Sequence, residues 1–278
     1  MQPYSRSRGS SIVSNSSQRL LVPAALLAVY VVWGSTYLAL KWGLDGFPPF
    51  VLNGIRLVVA GSVLYAWSRW RGNPAPTPRQ WVHAFFLGGV LFIGGMGLVT
   101  VAEDNGVGSG LVAAAVAVIP LWAAHWAGAL GEWPTRFEWL GLAVGFAGVV
   151  MLSREGDFQA STLGLILMVL SPIFWAFGSV VARRLDVPGS AMASATQMLG
   201  GGLLLLAAGF GRGEAFDGVP PLGAWLSLAY LIVFGSILAF SAYIYLLGTT
   251  RAAVATSYAY VNPVVAVFLG VTLGGEVV

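Results

Sequence analysis

The sequence predicts an all-α integral membrane protein made of two inverted five-helix repeats, a ten-helix fold with nine of its helices in this chain. Two observations carry that expectation. The first is composition: 57% of the 278 residues are hydrophobic and 9% are charged, against about 25% charged in a typical soluble domain. A soluble chain of this length could not hide so much apolar surface. The second is an internal repeat. Val118-Ile119-Pro120…Gly131-Glu132 recurs 143–144 positions later as Val261-Asn262-Pro263…Gly275-Glu276, and Gly34-Ser35 recurs as Gly178-Ser179. A repeat holding an odd number of membrane-spanning helices places its second copy upside down, which is the architecture of transporters with a substrate site near the midplane.

The elements follow in order. A membrane span needs about 20 mostly apolar residues, and nine segments qualify. The first copy gives 20–41, 49–67, 81–102, 109–130 and 137–152, and the second gives 163–182, 190–210, 222–248 and 252–273. Residues 1–19, rich in Ser and Arg, read as a disordered cytoplasmic tail. The repeats then occupy 20–155 and 160–278. Shifting 137–152 by 144 calls for a tenth helix at 281–296, beyond Val278, so the second repeat is read as lacking its last helix. The first span is no cleavable signal, because its apolar stretch is too long and no small-residue cleavage site closes it.

Loop charge sets the orientation. With the N-terminus in the cytoplasm, the inner segments carry Arg6, Arg8, Arg19, Arg69, Arg71, Arg79, Arg136, Arg183, Arg184 and Arg251. The outer loops hold only Lys41, Arg154 and Arg212, so the positive-inside rule predicts a cytoplasmic N-terminus. Trp42, Trp67, Trp70, Trp81, Trp133, Trp139 and Trp225 fall near span ends, where an aromatic belt is expected.

Several function classes are excluded. The only lysine, Lys41, follows Leu40, so the chain has no P-loop G-K-[ST] and drives no ATP pump. With no Cys, two His and no H-E-x-x-H, neither thiol chemistry nor a zinc site is expected, and no cofactor is called for. The basic residues are scattered through short loops, so nucleic acid is not a partner. A serine hydrolase reading of Ser109 and His125 fails, because the two lie about 24 Å apart along one helix. No charged ring or filter signature suggests a channel.

Trp33-Gly34-Ser35-Thr36, Pro48-Pro49-Phe50 with Arg56, Pro120…Gly131-Glu132 and Pro263…Gly275-Glu276, set in two five-helix copies, resemble the drug/metabolite transporter superfamily. Within it they are similar to the ten-helix EamA-type exporters, over about residues 20–278. The resemblance implies a secondary transporter of the inner membrane that exports small organic solutes by alternating access. Among the family's substrates, amino acids including aromatic ones are the leading expectation. The alternatives are export of unrelated drugs or metabolites and, from a different class, a membrane-embedded enzyme. Small multidrug members of the superfamily couple to protons through a membrane-embedded Glu. No Asp or Glu lies mid-span here, so facilitated diffusion or exchange is expected. The partners are then the substrate and the lipid bilayer, with the protein a monomer.

The expected substrate contacts are Trp33, Tyr37, Met96, Thr100, Pro120, His125, Trp175, Phe177, Tyr258, Asn262 and Pro263. Pro120 and Pro263 each free a backbone carbonyl mid-span, which is tolerated only where protein or a wet cavity satisfies it. Asn262 adds a polar amide at the same depth. Trp33, Tyr37, Trp175, Phe177 and Tyr258 suit an apolar or aromatic ligand. Met96 and Thr100 on the third span complete the set. His125 is either a proton carrier or a neutral imidazole bonded to a neighbouring helix. Arg56 has two readings, a clamp for a substrate carboxylate or a snorkelling structural residue. The family resemblance, which implies Arg here across many substrates, favours the structural one.

Overall fold

The computed structural model describes residues 13–107, 112, 115–153 and 161–273. Within them the chain forms helices α1 (Val13–Leu44), α2 (Pro49–Trp70), α3 (Pro78–Asp104), α4 (Ile119–Ala129), α5 (Arg136–Ser153), α6 (Thr162–Ala182), α7 (Ser190–Gly211), α8 (Leu222–Thr249) and α9 (Ala252–Thr272). Among the described residues, α1, α2, α3, α6, α7, α8 and α9 are long and apolar enough to cross a membrane. The first helix starts at Val13, inside the segment expected as a tail, and its apolar span starts at Leu20. Ser109, at the start of the expected fourth span, and Gly275-Glu276 lie outside the described residues.

Local sequence explains where the helices start. Pro49 opens α2, where a missing N–H costs nothing. The next two amides, of Phe50 and Val51, both donate to Glu214 Oε2 at 3.0 Å, so a carboxylate from the loop after α7 caps this N-terminus. Thr77 and Gln80 form a reciprocal capping box on α3, and Thr135 with Glu138 forms one on α5. Ser161 Oγ accepts from Gly164 N to start α6.

The helices that pack together come in repeat-related pairs. Helix α1 packs on α9 as α6 packs on α4, α1 on α8 as α6 on α3, and α2 on α8 as α7 on α3. Helices α2 and α7 pack on each other, and they run antiparallel. A Cβ on Gly54 would meet Leu206, one on Gly202 would meet Val58, and one on Gly61 would meet Leu199. Two equivalent helices that run antiparallel are exchanged only by an axis perpendicular to both. The pseudo-two-fold therefore lies across the helices, and the repeats are inverted.

One feature repeats at matching depth, and a second recurs about one turn out of register. The middle of α3 (Gly89–Gly97) and the middle of α8 (Leu231–Phe240) both widen into π-helix. Such insertions are rare and often mark functional sites. The fourth helices are also both interrupted. Turns at Ala117 and Val118 precede Pro120, and turns at Thr256 and Ser257 divide α9 ahead of Pro263. Neither the widened turns nor the break ahead of Pro263 was expected from sequence.

Glycines set the close approaches. A Cβ on Gly88 would lie 2.4 Å from Gly201 N, so α3 and α7 touch backbone to backbone. Not every small-residue motif works this way. In the Gly141-x-x-x-Gly145 of α5, Gly145 meets the Tyr260 ring, whereas Gly141 and Gly148 have nothing nearby. Six of the seven tryptophans placed at span ends are exposed, as a belt requires.

Candidate functional site

A cavity of about 100 Å³ lies between the repeats, lined from α1, α2, α3, α4, α6, α8, α9 and Val116. Both π-segments reach it, through Phe92, Gly95 and Met96 on one side and Gly235, Ser236 and Phe240 on the other. A wider helical turn displaces side chains and leaves room that a regular α-helix would fill.

The Trp33-Gly34-Ser35-Thr36 motif is held on every residue. Trp33 Nε1 donates to the Gly235 carbonyl at 3.0 Å. Gly34 lets α9 approach, since a Cβ there would meet Val265 at 2.6 Å. Ser35 Oγ bonds the Tyr230 hydroxyl at 2.6 Å, and Thr36 Oγ1 donates back to the Trp33 carbonyl. The Trp33 ring is thereby fixed at the centre of an aromatic cluster, with Tyr258 at 4.8 Å, Tyr243 at 5.0 Å and Trp175 at 5.6 Å between centroids. Such pairs contribute beyond the area they bury. Tyr243 donates to Ser179 Oγ, which ties the cluster to α6.

Asn262 is buried and joins two helices. Its amide nitrogen donates to the carbonyls of Tyr258 and Tyr30 at 3.1 and 3.0 Å, clamping α9 to α1.

Arg56 is 4% exposed and reaches the cavity. Its Nε donates to Ser236 Oγ at 2.8 Å and its Nη1 to Asn53 Oδ1 at 3.4 Å. Asn53 is positioned in turn by donating to Thr100 Oγ1 at 2.9 Å. The snorkelling expected on the structural reading does not occur: the guanidinium stays inside the bundle. Among the described residues, no Asp or Glu lines the cavity.

Six of the expected contacts line this space: Trp33, Tyr37, Met96, Trp175, Tyr258 and Asn262. The other five do not. Thr100 is fully buried one layer behind, holding Asn53. Pro120 and Pro263 are buried within α4 and α9 and shape the backbone rather than the wall, although their neighbours Ile119 and Asn262 both line it. His125 is exposed and meets Trp122 and Trp126 edge-on, and Phe177 packs edge-on against Trp126 at 5.3 Å. Equal depth put Phe177 with Trp33 in the sequence. Helix rotation separates them, because successive positions on a helix point about 100° apart. Sequence reasoning missed Phe92, Gly235, Ser236 and Phe240, whose only signal was membership of apolar spans.

The two ends of the bundle differ. At one end a space of about 400 Å³, bordered by Lys41, Asp45, Glu103 and Asp104, meets the central cavity at Tyr37, which lines both. At the other end a pocket of about 10 Å³ lies between Glu132, Glu138 and Arg251. Glu132 pairs there with Arg183 at 3.3 Å and Arg184 at 3.1 Å, and Glu138 pairs with Arg251. Gly131 makes the first of these possible. Its φ of +90 ends α4 in the left-handed region, where Gly is at ease, and turns Glu132 toward α6.

Comparison with known proteins agrees with this architecture. The EamA-like transporter family matches twice, over residues 21–154 and 162–278. The uncharacterized inner membrane transporter YedA of Escherichia coli (strain K12) is 42% identical over 260 residues, 93% of this chain and 85% of the relative. The uncharacterized transporter sll0355 of Synechocystis is 27% identical, over 92% of this chain and 83% of its own length. A solved crystal structure at 22% identity shares the fold, with a TM-score of 0.73 over 95% of this chain and 90% of that one. With the family matched on both repeats and its helices built to span a bilayer, this chain belongs to the EamA-like transporter family and is a membrane transporter rather than an enzyme.

Proposed function

We propose that this protein carries small organic solutes, amino acids including aromatic ones among them, out of the cell across the inner membrane by alternating access around the central cavity. The observation that carries the reading is the cavity itself, walled by aromatic side chains from both repeats and adjoining a wide space at the end away from the arginine-rich ion pairs. The arginine-rich end is assigned to the cytoplasm by the positive-inside rule, so the conformation is closed inward and open outward. The ion pairs of Glu132 and Glu138 form the inner closure. At about 100 Å³ the central space is smaller than the roughly 300–1,000 Å³ of ligand pockets, so substrate entry requires the repeats to move apart. Among the described residues the cavity wall has no carboxylate to carry a proton, which supports flux down the substrate gradient.

Uptake of labelled Trp, Phe and Tyr, beside Gln, Lys and Glu, into liposomes containing the protein tests this directly. Saturable, aromatic-selective flux that ignores a pH gradient is the expected result. Flux of none of them removes the amino-acid assignment and points to a drug or other metabolite. Gradient-dependent flux overturns the uncoupled mechanism.

A further inference from the structure

The guanidinium of Arg56 is buried and only partly satisfied. A buried cation costs several kcal/mol to desolvate unless an anion or a full set of hydrogen bonds offsets it. Arg56 has no carboxylate partner among the described residues. Its hydrogen bonds go to one hydroxyl, one amide oxygen at 3.4 Å and the Met96 sulfur at 3.7 Å, all through Nε and Nη1. The Nη2 amino group donates to none of the described residues.

A second observation shows why Nη2 stays open. A Cβ built on Gly235 would lie 2.8 Å from Nη2 and 3.1 Å from Thr36 Cγ2. A side chain at 235 would press on the amino group and crowd or displace it. Gly235 sits in the widened turn of α8, lines the cavity, and fixes Trp33 through its carbonyl. An uncovered guanidinium edge and an immobilised indole therefore meet at one residue.

We infer that Arg56 Nη2 is the anion-binding group of the cavity, and that the substrates are amphipathic organic anions or zwitterions whose carboxylate meets Arg56. Their apolar part lies against Trp33, Phe92 and Ile119. A guanidinium offers a carboxylate parallel N–H donors in a fixed plane, and here it supplies the countercharge that the protein lacks. Ser236 and Asn53 are positioning residues: they hold Nε and Nη1 so that Nη2 points to the open side. The inference rests on the carrier reading above and narrows its substrate class by charge.

The test pairs each acid with its amide. Purified protein in detergent is melted with L-tryptophan and L-tryptophanamide, L-phenylalanine and phenylalaninamide, indole-3-acetate and indole-3-acetamide, and inorganic phosphate. The expected result is that at least one carboxylate raises Tm by several degrees while its amide does not. That shift is lost in Arg56→Gln and in Gly235→Ala, which keeps Arg56 but crowds Nη2, and it survives in part in Arg56→Lys. The acid–amide contrast on the unaltered protein stands even if a variant fails to fold. Equal shifts by acid and amide, or no anion shift that depends on Arg56 and Gly235, overturn the inference. Liposome flux separates the two levels. Transport of amides or amines with Arg56 replaced leaves the carrier reading intact and removes this one. Anion binding with no flux removes the carrier reading alone.

Discussion

The two repeats share a fold and divide the chemistry. Positions related by the repeat meet in one cavity with opposite character. Ser236 answers Phe92, 144 residues apart, and Asn262 answers Ile119 in the shared Pro motif; all four line the space. Arg56 corresponds to Gly200, which packs instead against the Phe85 backbone. At Phe92/Ser236 and Ile119/Asn262 the second repeat is polar where the first is apolar, at Arg56 the first is charged, and Met96 and Phe240 stay apolar in both. A perfectly symmetric pair would have a wall of uniform character and no way to orient a ligand. The lesson is that duplication supplied the paired π-helical segments and the cavity between them, while divergence at a few repeat positions gave its walls different chemistry.

The same contrast appears where helices cross. In one crossing Gly88 meets Gly201 backbone to backbone. The equivalent positions in the other crossing are Ile232 and Leu57, with side chains where the first has none. The largest expected effect comes from erasing that difference. Gly88→Val drives a Cβ onto the Gly201 backbone and should abolish the monodisperse peak in size-exclusion chromatography. Ile232→Val should cost about 0.5–1.5 kcal/mol and leave the peak in place. Equal tolerance of both would break the comparison.

Next in size is the aromatic pair at equivalent depth. Trp33→Ala should lower stability by about 3–5 kcal/mol in denaturant melts, since the ring is 9% exposed and touches three others. Phe177→Ala should cost markedly less, because Phe177 is only partly buried and packs at the periphery.

Asn262→Leu removes the clamp and leaves the Tyr30 and Tyr258 carbonyls without that donor, for a loss of about 1–3 kcal/mol. Replacement of Ile119 by Val should cost about 0.5–1.5 kcal/mol. A reversed order would deny Asn262 its structural part.

The closure at the arginine-rich end sharpens the comparison between ends. The chain contains no Cys, so a single Cys at Ala253, which lines the narrow inner space, reports on access. Glu138→Gln should raise its labelling rate by up to about fivefold, because a partly exposed ion pair contributes up to about 1 kcal/mol. An unchanged rate would remove Glu138–Arg251 from the closure. The smallest effect belongs to His125. Exposed and outside the cavity, its replacement by Ala should leave flux unchanged with or without a pH gradient. A loss confined to gradient conditions would move proton handling to the peripheral cluster.

Much of the fold was legible because its signals are local and repeated. Apolar length marked the spans, the 143–144-residue shift in Pro120/Pro263 and Gly34/Gly178 marked the duplication, and odd helix number implied inversion. The site was legible in part. Trp33, Tyr37, Trp175, Tyr258 and Asn262 stood out by residue type at mid-span. His125 and Phe177 stood out equally and point elsewhere, since depth follows from sequence position whereas facing depends on how each helix is rotated in the bundle. Gly235 and Ser236 carried no signal, because their role comes from a π-helical turn that no local pattern announced.

By itself the sequence determined that this chain lives in a bilayer, as two inverted copies of one unit, because the cost of exposing apolar surface and unpaired backbone is the same wherever the chain folds. Only the tertiary structure decided which polar groups share the cavity. Arg56 became an open cation and not a snorkelling one because α8, 180 residues further along, brings Ser236 to its Nε and a glycine beside its Nη2. That outcome depends on helix packing across the two-fold, and no window of sequence contains both partners.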